Sequence, residues 1–374
     1  MKSFFGFLGK PRAKNIAVID ISSASVGAAY ATISGVAPPA MVFQTRIENR
    51  SETASTPGML RALDAVAREL STKGVSRLRS VTGSASIDTA YVLMSAPWQT
   101  SKLSVKTIEK EKQFLFTEAM LAEALAEERK TSGTTSLIAS VLNGYETPNP
   151  VGKRTTRAEI VLLSSAIDAE IEPYIKRAIR SFVGAAPLEF ISFASASHLV
   201  LRGLFPHERD FLALRIGTEG SELAFIKHGH LAGIETAGAG TSLFAKAARE
   251  HGIVSPGGVS DTENGLIDKE KSQRLAERLA ETERTWIGLM KETLVKIAAE
   301  GALPRVIFLF SDERTLPFFK RLLDAPELHA LWLSDEPLTV IPVVPRQFFQ
   351  FMRHINTDES DAVLDMLSML SRVE

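Results

Sequence analysis

The chain has 374 residues, of which 45% are apolar and 23% charged, a balance typical of a globular protein long enough for two domains. The absence of cysteine excludes disulfides, thiolate metal sites, iron–sulfur clusters and cysteine nucleophiles. Because 43 lysines and arginines nearly balance 44 aspartates and glutamates, we expect no nucleic-acid partner.

Residues 1–14 form a basic and apolar tail without an acidic residue. Its basic residues are Lys2, Lys10, Arg12 and Lys14, and its apolar ones are Phe4, Phe5, Phe7 and Leu8. The apolar run is too short for a signal peptide, and no run elsewhere approaches the ~20 residues that span a bilayer. The tail is either a weak foothold on an anionic membrane or a terminus packed on the protein, and packing is the simpler interpretation.

Residues 15–96 are predicted to open a first lobe. The segment 15–34 is rich in Val, Ile and small residues, and it predicts two strands joined by a serine-rich turn. A third strand is predicted at 40–47, an amphipathic helix at 57–73 and a buried strand at 89–95.

Residues 97–165 differ in texture and predict a small α+β insert. A charged stretch at 106–112, which we interpret as a solvated face, precedes an amphipathic helix near 117–129. Two strand-like runs follow, at 136–143 and 156–164. The chain then returns to the first lobe, because residues 166–205 predict a helix, a strand and a second helix.

Residues 206–345 repeat the opening pattern and predict a second lobe. VIDISSASVGAA at 18–29 and ALRIGTEGSELA at 213–224 superpose without a gap, so that Asp20 falls on Arg215. Such a repeat predicts two similar lobes that face each other across a shared cleft. Residues 346–374 follow as a C-terminal segment with an amphipathic helix.

The two serine-, glycine- and threonine-rich turns are suited to holding a nucleotide. Small residues let backbone N–H groups approach phosphate oxygens, and a carboxylate at the end of a strand can position Mg²⁺ and water. The candidate binding residues are Asp20, Ser22, Ser23, Ser25, Arg215, Gly217, Thr218, Glu219, Gly240, Ser311 and Asp312. Asp20 is the candidate catalytic residue and Mg²⁺ ligand if the site is active.

A family resemblance follows from two of these segments. DISSASV at 20–26 resembles the first phosphate loop of the actin-like ATPase superfamily, in particular of the pilus-assembly protein PilM and the cell-division protein FtsA. LNGYETPNPVGKRTTRAEIVLLSSA at 142–166 is similar to their inserted SHS2-type subdomain. The resemblance covers nearly the whole chain. It implies a duplicated actin-like (ribonuclease H-like) α/β fold with two lobes, a small α+β SHS2-type insert, and ATP with Mg²⁺ as a ligand.

The sequence departs from the family pattern where the chemistry is performed. Active relatives carry Asp at the position of Arg215, and a guanidinium can neither coordinate Mg²⁺ nor accept a proton. Residues 239–244 read AGTSLF where relatives read Gly-Gly-x-x-hydrophobic-Thr. Ser311 and Asp312 replace the glycine pair that follows the relatives' last apolar strand.

Three interpretations of the cleft remain open at the level of sequence. It hydrolyses ATP with Asp20 alone, which is the weakest of the three. It binds a nucleotide without fast turnover, with Arg215 as the counter-charge to phosphate. Or it is a vestige in which Arg215 pairs with Asp20 and the lobes stay closed.

The resemblance also implies partners and a location. PilM-like proteins hold the cytoplasmic tail of a single-span membrane protein, which predicts a groove near residues 97–125 and a cytoplasmic protein at the inner membrane. The acidic helix within 358–374 disfavours the basic lipid anchor of FtsA-like proteins. We therefore expect a PilM-type scaffold with slow or no ATP turnover. The alternatives are a filament-forming FtsA-like division protein that recruits a tubulin-like partner, and a sugar or acetate kinase.

Overall fold

The computed structural model describes most of the chain. The described residues are 13–35, 37–49, 54–131, 134–250, 269–299, 301–332, 338–355 and 360–373. The predicted tail lies outside them up to residue 12.

The elements of the first lobe and the insert are formed by residues 14–204. The opening elements are β1 (Lys14–Ile21), β2 (Ser25–Ile33), β3 (Ala40–Glu48), α1 (Thr56–Glu69), one π-helical turn (Leu70–Gly74), α2 (Val75–Thr82) and β4 (Thr89–Met94). The insert comprises β5 (Gln99–Leu115), α3 (Glu118–Thr131), β6 (Thr134–Leu142), β7 (Tyr145–Glu146) and β8 (Arg154–Ile167). The lobe is completed by α4 (Glu172–Val183), β9 (Leu188–Ser192) and α5 (Phe193–Leu204).

The second lobe and the C-terminal segment follow. The lobe contains β10 (Phe211–Ile216), β11 (Ser221–Lys227), β12 (His230–Ala237), α6 (Ser242–Glu250), α7 (Lys269–Ala299), β13 (Val306–Phe310), α8 (Leu316–Leu323), α9 (Pro326–His329) and β14 (Thr339–Pro342). The C-terminal segment contains a 3₁₀ turn (Pro345–Gln347), β15 (Arg353–His354) and α10 (Ala362–Val373). None of the helices in the described ranges combines the length and apolarity needed to cross a bilayer.

The two lobes share one strand order, which confirms the predicted duplicated α/β architecture. The first sheet runs β15-β3-β2-β1-β4-β9 and the second runs β12-β11-β10-β13-β14. In each sheet the first strand pairs antiparallel with the second and parallel with the fourth. Asp20 lies opposite Gly27, and 195 residues later Arg215 lies opposite Glu222. The register of the predicted repeat is therefore preserved between the lobes.

Apolar layers on both sides of each sheet stabilise this arrangement. α1 and α4 cover the outer face of the first sheet, and α7 and α8 cover that of the second. α5 and α10 lie in the core between the two sheets. Each central strand is consequently buried on both faces, and its apolar run ends at a polar turn in the cleft between the lobes.

Two boundaries differ from the sequence prediction. The helix predicted at 57–73 continues to Thr82, because the π-helical turn carries it past Gly74 without a break. The charged stretch at 106–112 lies inside β5, a strand that the sequence did not predict. β5 is an edge strand of the four-stranded insert sheet, so its charged side chains stay in solvent and no apolar run marks the strand.

Candidate functional site

The cleft is built around the last residues of β1 and β10. Ile16–Ile19 in β1 are apolar and almost fully buried, and Asp20 follows them with no exposed surface. Arg215 occupies the matching place in β10 and is 7% exposed. Charged residues are rarely this buried unless they are paired, so both residues must contact opposite charge.

Asp20 and Arg215 contact each other directly. Nη2 of Arg215 lies 2.9 Å from both carboxylate oxygens of Asp20, and Nη1 donates to Oγ of Ser95 at 2.8 Å. Ser95 follows β4, the neighbour of β1. The guanidinium of the second lobe is therefore held by charge-assisted hydrogen bonds to two side chains of the first lobe.

A second arginine approaches Asp20 from the other side. Nη2 of Arg46, in β3, donates to Oδ2 of Asp20 at 2.9 Å, and Nη1 donates to Oγ of Ser25 at 2.8 Å. A Cβ atom at Gly27 would lie 2.7 Å from Arg46 Nη2, so the glycine leaves the space for this guanidinium. Asp20 thus accepts hydrogen bonds from an arginine of each lobe.

The C-terminal segment completes the network. Oδ2 of Asp361, which caps α10, accepts a hydrogen bond from Nε of Arg46 at 2.5 Å. Burial raises the pKa of Asp361, but the contact with Arg46 outweighs it and leaves the pKa below its usual range. Burial also opposes the charge of Arg46, yet Asp361 and Asp20 together raise its pKa. We call Asp20, Arg46, Arg215 and Asp361 the cleft ion network; its formal charges cancel.

Glu222 contributes a further acidic group from the second lobe. It lies directly opposite Arg215 in the antiparallel pair of β10 and β11. Its Oε1 accepts a hydrogen bond from the N–H of Ala96 at 3.2 Å. Burial raises the pKa of Glu222, although the nearby Arg215 opposes the rise. The carboxylate therefore binds the backbone after β4 and adds another link between the lobes.

The two predicted phosphate turns contact each other. The N–H of Thr218 donates to Oγ of Ser23 at 3.1 Å, which joins the turn of one lobe to the turn of the other. Ser22 is engaged within its own turn, where its hydroxyl donates to the carbonyl of Ser25 and accepts its N–H. The space expected for phosphate oxygens is thus spanned by a direct hydrogen bond.

The start of α6 is also occupied by the protein. The N–H groups of Thr241 and Ser242 donate to the carbonyls of Gly217 and Thr218 at 3.0 and 2.9 Å. A Cβ atom at Gly240 would lie 2.1 Å from the carbonyl oxygen of Thr218, so only glycine fits there. These amides stabilise the second turn and are not directed at a ligand.

The rim of the cleft carries the remaining predicted residues. Asp312 pairs with Arg314, which reaches Glu48 of the first lobe at 3.0 Å. Hydrogen bonding to Arg314 lowers the pKa of Asp312. Ser311 bonds the hydroxyl of Thr315 at 2.8 Å. Glu219, in the second turn, also bonds the first lobe, because its Oε1 accepts a hydrogen bond from the N–H of Ala54 at 2.8 Å.

These residues do not fit ATP with Mg²⁺ in this arrangement. Magnesium needs oxygen ligands, but both oxygens of Asp20 bind guanidinium groups and Arg215 brings a positive charge to the metal position. The N–H groups of Gly217, Thr218, Thr241 and Ser242 are satisfied within the protein. In the described parts of the chain, no group of three or more His, Asp or Glu side chains could hold a metal ion.

The structure brings most of the predicted site residues together at one cleft and adds four that the sequence did not reveal. The additions are Arg46, Ser95, Glu222 and Asp361. Arg46 and Asp361 are 315 positions apart, and only the return of the C-terminal segment to the first lobe joins them. An aspartate before an apolar run indicates a helix cap, so the capping role of Asp361 could be predicted from the sequence. Its contact with Arg46 could not.

Comparisons with known proteins agree with this architecture. No protein-family model matches the chain, and no curated protein matches it. Among solved structures, a chain of a PilM-PilN type IV pilus biogenesis complex matches with a TM-score of 0.59 and 16% identity, covering 97% of this chain and 99% of that one. The chain therefore has the two-lobe actin-like fold that the resemblance implied.

Two further solved structures are more distant. The ethanolamine utilization protein EutJ from Carboxydothermus hydrogenoformans gives a TM-score of 0.41 at 12% identity, covering 89% of this chain and 85% of that chain. A protein of unknown function with an actin-like ATPase fold from Bacteroides thetaiotaomicron gives 0.39 at 10% identity, covering 98% and 99%.

Proposed function

We propose that this chain is a PilM-type scaffold for a type IV pilus or a related envelope assembly, and that it does not hydrolyse ATP. The observation that carries this proposal is the contact between Arg215 and both oxygens of Asp20. The groups that would bind Mg²⁺ and activate water instead neutralise each other. Ion pairs within the protein hold the lobes together, as expected for a structural component of a larger assembly.

The chemistry of hydrolysis explains the assignment. Phosphoryl transfer to water depends on Mg²⁺ to neutralise developing charge and on an oxygen group that orients the attacking water. Asp20 accepts hydrogen bonds from two arginines, and Arg215 is a donor only. Neither residue is then available for these roles.

Steady-state ATP turnover of the purified full-length chain tests this part of the proposal. We expect no turnover above that of an Asp20→Ala variant. Arg215→Asp restores an acid at the second position and is the converse test, with Mg²⁺-dependent ATP binding as the readout. Wild-type turnover that Asp20→Ala abolishes would falsify the proposal.

The seam between the insert and the first lobe is the surface we assign to a partner. A small groove there is lined by Thr134, Ser136, Leu163, Ser165, Phe190, Ile191, Ser192 and Ser195. The groove itself has room for only about one water molecule, so a peptide would lie along its rim, where β9, the edge strand of the first sheet, offers its backbone for pairing. The matched complex, PilM-PilN, supports a membrane-protein segment as the occupant. The groove expected near residues 97–125 stays an alternative position, because β5 pairs with β8 on one side only and is an edge strand of the insert sheet.

The C-terminal helix supports recruitment through such a partner over a lipid anchor of FtsA type. Leu364, Leu367 and Leu370 are fully buried against α5 and β1. An amphipathic anchor would need this apolar face free for lipid. We therefore propose that the chain lies in the cytoplasm at the inner membrane and that a partner holds it there.

Peptide binding tests the partner assignment. A panel of labelled synthetic peptides would cover the cytoplasmic tails of the host's single-span membrane proteins, with fluorescence anisotropy as the readout. We expect one tail to bind with about micromolar affinity, and Ser136→Arg to weaken it at least tenfold. Thr285→Arg, on the exposed face of α7, adds the same side chain far from the groove and serves as control. Equal binding by both variants would refute the location.

A further inference from the structure

The insert joins the first lobe at one end of its sheet. β5 begins at Gln99 and β8 ends at Ile167, and these two residues lie opposite each other. The partner groove, which is the small groove between the insert and the first lobe, lies at this attached end, because Thr134 at the start of β6 lines it. β6 then runs for roughly 23 Å to the place where Val141 pairs with Glu146 of β7. Glu146 is therefore at the free end of the insert.

The free end of the insert contacts the second lobe. Nε2 of His230, the first residue of β12, pairs with Oε2 of Glu146. β12 also lies against β5 and β6, and Leu163 of β8 belongs to the same apolar core as Leu231 of β12. The insert thus has two neighbours, the first lobe at the partner groove and the second lobe at Glu146.

The surroundings of His230 favour an acid from the insert. Arg202 and Arg209 donate hydrogen bonds to carbonyl groups of the hairpin that joins β11 and β12. Burial lowers the pKa of His230, Glu146 opposes this change, and the two arginines add to it. Asp210, near the tip of the hairpin, offsets part of the positive charge. The carboxylate of Glu146 faces the remainder, so the contact between insert and second lobe is complementary in charge.

The partner groove is too narrow for a peptide while the insert keeps this position. A strand paired with β9 lies about 4.8 Å from it and needs space for its side chains, whereas the groove holds about one water molecule. A segment that enters the groove from its rim must therefore push the insert away from β9. Because the insert sheet is hydrogen-bonded from the groove to β7, a small tilt at the attached end displaces Glu146 by a larger distance.

We propose that the pair of Glu146 and His230 is an autoinhibitory clasp, which holds the insert against the second lobe and keeps the partner groove closed. The proposal rests on the proposed function for the role of the groove, but closure itself involves no partner. The side chains are 36% and 25% exposed, so the pair is of modest strength and an incoming segment can displace it. The apparent affinity of that segment is reduced to the extent that the clasp is closed.

Thiol labelling measures this closure without a partner. The chain has no cysteine, so Ser192→Cys introduces a single thiol into the groove at a position that is 4% exposed. Iodoacetamide alkylates the thiol only while the groove is open, because a buried thiol is out of reach of the reagent. Adding Glu146→Lys places like charge beside His230, and we expect labelling to become about tenfold faster.

Three controls connect faster labelling to the clasp. Glu123→Lys makes the same charge change on the exposed side of α3, which packs on the opposite face of the insert sheet, and should leave the rate unchanged. Glu146→Lys combined with His230→Glu provides opposite charges again and should restore slow labelling. Ser368→Cys, fully buried in α10, reports global unfolding, and its labelling should not respond to Glu146→Lys.

Labelling of the groove thiol at an unchanged rate in Glu146→Lys would overturn the proposal. Equal acceleration by Glu123→Lys would do so too, because the effect would then follow overall charge. Equal acceleration of the Ser368→Cys thiol would show that the whole protein opens and not the groove, which also contradicts the clasp.

Peptide binding separates this inference from the proposed function. For the labelled membrane-protein tail that binds best, Glu146→Lys should bind about tenfold more tightly than the wild type. Unchanged affinity despite faster labelling would show that the clasp does not inhibit binding. If no tail binds either protein, the partner assignment fails, while the labelling rates still decide whether the clasp closes the groove.

Discussion

The two lobes have the same strand order and register but opposite charges at one equivalent position, Asp20 in the first lobe and Arg215 in the second. The first lobe places Asp20 on its first strand and Arg46 on its third, whereas the second places Arg215 on its first and Glu222 on its second. Ser23 and Thr218 are also equivalent, and they bind each other. One lobe therefore presents to the other the charge that it lacks, and the duplicated fold closes on itself.

This difference separates what maintains the fold from what determines its chemistry. Both central strands keep a buried apolar run, which is sufficient to preserve the sheet and its register. A change at one polar position per lobe leaves that run intact. An acid-to-arginine replacement can thus convert a ligand site into an internal contact without altering the topology.

The largest expected effect comes from removing the carboxylate on which both arginines converge. Asp20→Ala leaves Arg46 and Arg215 without a shared acceptor in a buried site, and it should lower the free energy of unfolding by about 3–5 kcal/mol. Urea denaturation measures the loss. Asp20→Leu combined with Arg215→Met removes the charge on both sides and should cost clearly less than Asp20→Ala alone. If the destabilisation of the double variant equals the sum for Asp20→Leu and Arg215→Met measured singly, the two residues do not interact and the contact is contradicted.

The C-terminal segment, which adds a strand to the first sheet only, should make the free energy of unfolding depend on pH. Burial, partly offset by His354, raises the pKa of Asp365 to about 6, above its usual 3.8. The folded state therefore prefers the protonated carboxyl. The stabilisation by the protonated carboxyl is complete below about pH 4 and is lost as the pH rises through 6. The free energy of unfolding should fall by up to about 3 kcal/mol over this range.

Comparison with Asp365→Asn isolates this effect, because the amide resembles the protonated acid at every pH. The difference in unfolding free energy between wild type and variant should shift against the wild type from pH 4 to pH 7. A difference that does not change with pH would show that Asp365 stays charged in the fold.

The contact between α6 and the second turn offers a steric test. Gly240→Ala places a Cβ atom 2.1 Å from the carbonyl oxygen of Thr218 and should destabilise the protein by about 2 kcal/mol. Gly238→Ala is the matched control, because nothing lies within 4 Å of a Cβ atom there. Thermal unfolding of both variants compares them, and equal midpoints would mean that the turn is not packed as described.

The smallest effect is expected at the rim. Asp312 occupies the place in the second lobe that Ser95 occupies in the first, but its partner Arg314 is 71% exposed. Asp312→Ala should therefore change the free energy of unfolding by less than about 1 kcal/mol. A loss as large as that of Asp20→Ala would show that the rim, and not the buried network, holds the lobes together.

The sequence predicted the duplicated lobes because the repeat keeps its turn residues and its apolar strands. It also placed Asp20 and Arg215 at equivalent positions, since they superpose without a gap. Arg46 and Asp361 were not predictable, because their meeting depends on a segment that returns to the first lobe after the second is complete. β5 was missed because an exposed edge strand carries no apolar run.

Isothermal titration calorimetry of the wild-type chain with Mg²⁺-ATP tests the central claim most directly. If internal ion pairs and the Ser23–Thr218 bond occupy the cleft, the titration should give only the heat of dilution at nucleotide concentrations up to about 1 mM. Saturable one-to-one binding with a Kd below about 100 µM, weakened by Asp20→Asn, would contradict the account.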